Sequence, residues 1–127
     1  MRILLDTHVL LWALGDEDAL SERGRRIVAE DAEEVLVSAA SIWEASIKQS
    51  IGRLEVSGDL VEAAERAGFD ELPIMARHAA AIADLPLHHR DPFDRMLVAQ
   101  ARVEGLTLAT ADELLAAYDV SLLDATR

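Results

Sequence analysis

Ile3-Leu4-Leu5-Asp6-Thr7-His8-Val9-Leu10-Leu11-Trp12-Ala13 is the stretch on which the fold turns. Its opening residues are continuously apolar, the signature of a short strand covered on both faces, as in a parallel sheet. After Asp6 the period changes: Val9, Leu10 and Ala13 recur at helical spacing, with Thr7 expected as the helix cap. A buried strand thus passes directly into a helix. The junction leaves a carboxylate at the strand's exit, where a charge needs a partner.

Working outward, the same alternation repeats. Gly15 and Asp16-Glu17-Asp18 end the first helix, and Ser21 caps a second whose Arg23, Arg25 and Arg26 form a wet face. Val35-Leu36-Val37 reads as the second strand. Ser38 or Ser41 then starts a long helix holding Ile42, Trp43, Ile47 and Ile51, ended by Gly52. A further helix is expected over Asp59 to Ala67, and a strand within Phe69 to Ile74 whose Pro73 suits an edge or a strand end. A short helix from Arg77 to Ala83 leads to a loop around Pro86. Asp91 caps the next helix, with Pro92 at its first position, where no donor is needed. Leu106 to Ala109 is a strand, Ala111 to Ala117 a small helix, and Val120 to Leu123 the last strand. Strands alternating with helices predict a three-layer α/β domain around a mainly parallel sheet of about four or five strands. Residues 1–127 are expected to form that single domain.

The totals bound the function. With 51% apolar and 28% charged residues in a chain of 127, the sequence is that of an ordinary globular domain. It has no apolar run long enough to cross a membrane, and an acid arrives too early for a signal peptide, so a cytoplasmic address is expected. Without cysteine there is no disulfide and no thiolate metal site. Twelve basic residues against twenty-four acidic ones give a net charge of −12, which argues against a broad basic face for nucleic acid. A polyanion could bind only where metal ions and local arginines reverse the field.

Four acids stand where such a site would form. In parallel α/β sheets, ligands bind beyond the carboxyl ends of the strands, at a topological switch point. Asp6 leaves the first strand there, and Asp112 follows Leu106 to Ala109. Asp94 heads the apolar stripe Leu97, Val98 and Ala101, a place where an ordinary helix buries carbon. Glu44 likewise interrupts the stripe Ala40, Ile47 and Ile51. Each has a plainer reading. Asp94 complements the helix dipole, Ser41-Ile42-Trp43-Glu44 forms a capping box, and Thr110-Ala111-Asp112-Glu113 forms another. Convergence separates the readings, because four acids in one place would repel unless protonated or bridged by a cation. Oxygen donors suit Mg²⁺ or Mn²⁺. Two such ions activate a water and stabilise the leaving oxygen of a phosphodiester. Arg90 and Arg95, which bracket Asp94, and Lys48, one turn beyond Glu44, are solvated charges or contacts to phosphates of a polyanion. His88 and His89 are expected in a solvated loop, His8 and His78 on helix faces, and Trp12 and Trp43 in core or interface.

With these residues collected, the chain resembles the PIN-domain proteins, and among them the VapC-type toxins of prokaryotic type II toxin–antitoxin pairs. The likeness covers essentially the whole length. It rests on Leu4-Leu5-Asp6-Thr7-His8, Ser38-Ala39-Ala40-Ser41-Ile42-Trp43-Glu44, His89-Arg90-Asp91-Pro92-Phe93-Asp94-Arg95 and Leu108-Ala109-Thr110-Ala111-Asp112, in that order and spacing. The resemblance implies a metal-dependent endoribonuclease whose catalytic, metal-holding acids match Asp6, Glu44, Asp94 and Asp112. It also implies Mg²⁺ or Mn²⁺, a homodimer, an RNA substrate, and a cognate antitoxin that threads a segment into the active-site groove. Thr7 and Thr110 match hydroxyl positions that orient the acids or bind water. Asp91 is a cap first and a support for the acids second. Tyr118-Asp119-Val120 departs from the pattern, since relatives often carry a turn glycine there.

The expected reaction is in-line attack of an activated water on phosphorus, leaving a 5′-phosphate product. Two rivals stand beside it. A PIN-like module that binds RNA or protein without turnover would have little use for four intact acids. An aspartate-based phosphatase or phospho-receiver wants another Asp where His8 stands, or a late lysine, whereas Lys48 is the only lysine.

Overall fold

The computed structural model describes residues 1–127. Its five strands are β1 (Arg2–Leu5), β2 (Glu34–Ser38), β3 (Asp70–Leu72), β4 (Thr107–Thr110) and β5 (Leu122–Asp124). All pair in parallel, in the order β3-β2-β1-β4-β5. From β1 the chain proceeds outward to β2 and β3, then returns to the other side of β1 for β4 and β5. Loops leaving β1 and β4 therefore diverge, and the switch point falls between them.

Six helices flank the sheet: α1 (Thr7–Leu14), α2 (Glu22–Arg26), α3 (Ala39–Ser50), α4 (Leu60–Arg66), α5 (Ala76–Ala81) and α6 (Pro92–Glu104). The expected three-layer α/β architecture is the one observed. Alternate residues of the strands feed two cores. Ile3, Leu5, Val35 and Val37 pack with Val9 and Leu10 of α1 and with Leu60 and Ala64 of α4. Leu4, Leu36 and Leu108 pack with Leu97, Val98 and Ala101 of α6. Burial on both faces accounts for the uninterrupted apolar runs. Gly105, at φ 67°, closes α6 in the left-handed conformation that glycine adopts without strain.

Several boundaries differ from the sequence expectation, each for a local reason. Asp6, not Thr7, caps α1: its Oδ1 accepts the Val9 N–H at 2.8 Å, and Thr7 becomes the first helical residue. Ser38 rather than Ser41 caps α3, accepting from the Ala40 N–H at 3.0 Å. Glu44 consequently lies in the second turn, and the Ser41–Glu44 capping box does not form. Asp112 is itself a cap, of a 3₁₀ turn over Glu113–Ala117, so that segment is not an α-helix. The strand expected within Phe69–Ile74 shortens to β3, an edge strand ended by Pro73, and the last strand starts at Leu122 instead of Val120. No helix is long and apolar enough to cross a membrane.

Candidate active site at the carboxyl edge of the sheet

Asp6 enters the site because β1 ends one residue earlier, buried on both faces. It is only 4% exposed. One oxygen is occupied by the α1 cap, and the Thr110 hydroxyl donates to the carboxylate from the end of β4. Thr110 Oγ1 in turn accepts the Asp112 backbone N–H at 3.0 Å. One hydroxyl thereby joins the acid of β1 to the turn that carries Asp112. Burial pushes the Asp6 carboxyl above its ordinary value, against the pull of Thr110, the Val9 N–H and His8, and the Glu44 charge adds to the rise.

Glu44 arrives from α3, 7% exposed. Its Oε1 accepts the Thr7 hydroxyl at 2.7 Å, and its Oε2 accepts Lys48 Nζ at 2.8 Å. Thr7 Oγ1 also reaches Ser41 Oγ at 3.2 Å, so α1 and α3 are joined by buried hydroxyls beside the acid. At the starts of α3 and α6, the Trp43 and Phe93 rings meet edge-on, centroids 4.9 Å apart. That contact brings the helix of Glu44 against the helix of Asp94.

Asp94 sits in the first turn of α6, whose cap is Asp91: Oδ1 of Asp91 accepts the Phe93 and Asp94 N–H groups at 2.8 and 3.2 Å. Burial is the main reason the Asp94 carboxyl is pushed up to about 7; the Asp91 charge adds to it, the His89 ring opposes it, and the Asp6 and Glu44 charges add again. Those contributions show Asp6, Glu44 and Asp94 within electrostatic reach of one another. Asp112 completes the group from the turn after β4. His89 Nε2 lies 2.9 Å from Asp112 Oδ2 and 3.3 Å from Asp94 Oδ2, tying those two acids together. A shallow opening beside them is lined by Asp6, His8, Trp12, Ala111 and Asp112.

The expected cations fare differently. Arg90 is exposed and makes no ion pair. Lys48 is committed to Glu44. Arg95, read from the sequence as a solvated charge or a phosphate contact, turns to the loop before α6. Its guanidinium donates to Pro86 O at 2.9 Å, Tyr118 Oη at 3.1 Å, and Ile82 O and Leu85 O at 3.4 Å. Ile82 O and Pro86 O also take the Leu85 and His88 N–H groups, so the guanidinium adds a second donor to carbonyls already in the turn and braces the loop. His89, expected in a solvated loop, is instead half-buried among the acids. The sequence held one sign of this: a histidine two residues before a cap can take the cap's own N–H, as Nδ1 does from Asp91 at 3.0 Å. The departing Tyr118 also finds its use, since its ring is buried and its hydroxyl accepts from both Arg95 and the His89 N–H.

The donor set fits a hard divalent cation. Carboxylates dominate it, thiols are absent, and the positive charge within reach falls short of the negative.

The sequence profile of the family described as "PIN domain" matches residues 3–121, and the chain belongs to that family. PIN domains are typically nucleases and generally use a divalent metal. Among solved structures, the fold is similar to VapBC2 of Rickettsia felis bound to a promoter DNA fragment, with a TM-score of 0.69 and 13% identity over 97% of this chain and 98% of that one. FitAcB of Neisseria gonorrhoeae matches at 0.67 and 24% identity, covering 98% of each chain. VapC20 of Mycobacterium tuberculosis, described as a sarcin-ricin loop cleaving toxin, matches at 0.57 and 17%, covering 91% of this chain and 95% of that one. No curated protein matches the chain by sequence.

Proposed function

We propose that the chain is a Mg²⁺- or Mn²⁺-dependent endoribonuclease of the VapC type, acting as one nuclease domain over residues 1–127. The observation that carries the reading is the gathering of mutually repelling carboxylates at the carboxyl edge of the sheet, where Asp6 and Glu44 are buried and Lys48 and the His89 ring are the basic groups in contact. An ordinary fold would not leave such repulsion in place. Asp6, Glu44 and Asp94 would hold the principal cation, and Asp112 would contribute at the open side of the group. When bound, the cation supplies an activated water and offsets charge on the leaving oxygen of the phosphodiester.

The chain's own residues do the rest. Thr7 orients Glu44, and Thr110 orients Asp6 while fixing the turn of Asp112. Asp91 holds the first turn of α6, so that Asp94 projects into the group. Arg90 is free to meet a flanking phosphate, and Lys48 can do so from its place at Glu44. Arg95 braces the loop before α6.

The partner reading follows from another surface. Trp43, Ile47 and Ile51 lie along one side of α3 and are 59%, 40% and 60% exposed. An apolar strip of that kind beside a polar site suits a protein partner, here a second copy of the chain or a cognate antitoxin. The experiment is RNA cleavage by the purified chain with Mn²⁺, with EDTA, and after Asp6→Asn. Cleavage that needs the metal and vanishes in the variant is expected. Cleavage that survives in the variant at the parent's rate would refute the assignment.

A further inference from the structure

The His89 ring is held more firmly than a loop residue needs to be. Its backbone N–H donates to Tyr118 Oη at 2.9 Å, and its Nδ1 accepts the Asp91 N–H at 3.0 Å. Tyr118 is buried, and Arg95 ties it to the carbonyls of the same loop. The far end of the ring, Nε2, is thereby aimed between Asp94 and Asp112.

By spacing alone, His89, Asp94 and Asp112 look like three ligands of one cation, since their donor atoms all lie within 4.8 Å of one another. The tautomer decides otherwise. An imidazole whose Nδ1 accepts an N–H keeps its ring proton on Nε2. As held, Nε2 is a donor with no lone pair to offer a metal. A hydrogen bond from it to a carboxylate is charge-assisted, which offsets part of the repulsion between the two acids.

We infer that His89 is a positioning residue that stands in for a cation: its Nε2–H, bonded to Asp112 and 3.3 Å from Asp94, holds the two acids together in the metal-free protein, and a divalent ion reaching Asp112 must displace it. This rests on the four-acid reading above. The clasp keeps the site assembled without metal and makes cation loading unequal. Asp94 keeps one oxygen clear of the ring, whereas the Asp112 oxygens are taken by the Leu114 N–H and by Nε2, so Asp112 becomes available only as the ring gives way.

The test is calorimetric titration of the full chain with Mn²⁺, in the parent, in His89→Ala and in His89→Gln. The Gln amide carries an N–H at nearly the reach of Nε2. Expected are a tight and a weaker event in the parent, a weaker event tightened on the order of tenfold in His89→Ala, and parent-like binding restored by His89→Gln. Weakened Mn²⁺ binding in His89→Ala would make the ring a ligand and overturn the inference. A lower melting temperature with unchanged binding would overturn it too, leaving only packing.

The unaltered protein gives a second measurement, which stands even if His89→Ala does not fold. Nitrogen NMR of the imidazole should show the Nε2-protonated tautomer before and after Mg²⁺, with its resonances moved by the ion. Loss of the Nε2 proton on adding Mg²⁺ overturns the inference. A parent that binds no Mn²⁺ removes the four-acid reading and this inference together. A parent that binds it while His89→Ala gains nothing removes this inference alone.

Discussion

The two ends of the sheet treat their acids in opposite ways. At the amino end of β1 and β2 the amino terminus meets Glu33 at 3.0 Å, and Arg2 Nε meets Glu34 at 3.0 Å. Glu33 and Glu34 each have a cation and face water, and the Arg2 bond, with Asp70 beside it, holds the Glu34 carboxyl below its usual range. Asp70, unpaired with a cation but exposed, is pushed up by Glu34. At the carboxyl end Asp6 and Asp94 are held above theirs, chiefly by burial. Lys48 and the His89 ring are the basic groups in direct contact with the four acids there. Charge as such does not distinguish a working acid from a decorative one. Burial without a matching cation does, because desolvation and like-charge repulsion are tolerated only where something outside the chain relieves them.

The largest effect should come from removing a charge at the crowded end. Asp94→Asn should lower Mn²⁺-dependent RNA cleavage by about a hundredfold or more. The same change should raise the melting temperature of the metal-free protein at pH 8, since it relieves repulsion. A variant that loses stability together with activity would show that Asp94 is as well partnered as the acids at the other end.

Next comes pH. The folded Asp94 carboxyl titrates at about 7 against an ordinary value of 3.8, so between those values the folded protein holds a proton that the unfolded chain has released. Its stability contribution is therefore present below that window and is lost as pH rises through about 7. Burial of Asp6 acts in the same direction. Chemical denaturation of metal-free protein should give lower stability at pH 8 than at pH 5, by a few kcal/mol at most, and saturating Mg²⁺ should narrow the gap. Equal stability with and without Mg²⁺ at pH 8 would break the contrast between the two ends.

Thr7→Val tests the support beneath Glu44. It deletes a buried hydrogen bond to a charged oxygen and should cost about 1–3 kcal/mol. It should also weaken Mn²⁺ binding on the order of tenfold, measured by titration. The smallest effect is expected at the opposite edge. Arg2→Ala breaks an exposed pair and should change stability by about 0.5 kcal/mol or less in denaturant melts, with RNA cleavage unaltered.

How much of this was legible can be followed residue by residue. The strand exits at Asp6 and after Thr110, the cap at Asp91 and the acid one turn into α6 are local patterns, visible within a few residues of sequence. Asp6 taking the cap role from Thr7 was not visible, because both residue types cap helices and the strand's end point chooses between them. The convergence of Asp6, Glu44 and Asp94 entered through the family likeness and the logic of parallel sheets, whereas their mutual electrostatics needed coordinates. The loop bonds of Arg95 were not visible, because an arginine beside an acid reads from sequence only as a solvated charge or a phosphate contact. Its partners Pro86 and Tyr118 lie 9 and 23 positions away.

The sequence by itself determined the alternation of buried strands with helices, the caps at Ser21 and Asp91, and the acid heading the buried apolar stripe of α6. These follow from periodicity and hydrogen bonding between near neighbours, which the order of residues encodes directly. Only the tertiary structure decided which groups share a space: His89 between two carboxylates, Tyr118 beneath it, Arg95 turned to the loop and Lys48 to Glu44. Such pairings depend on where separate segments cross, and there burial sets the strength and even the direction of each electrostatic effect.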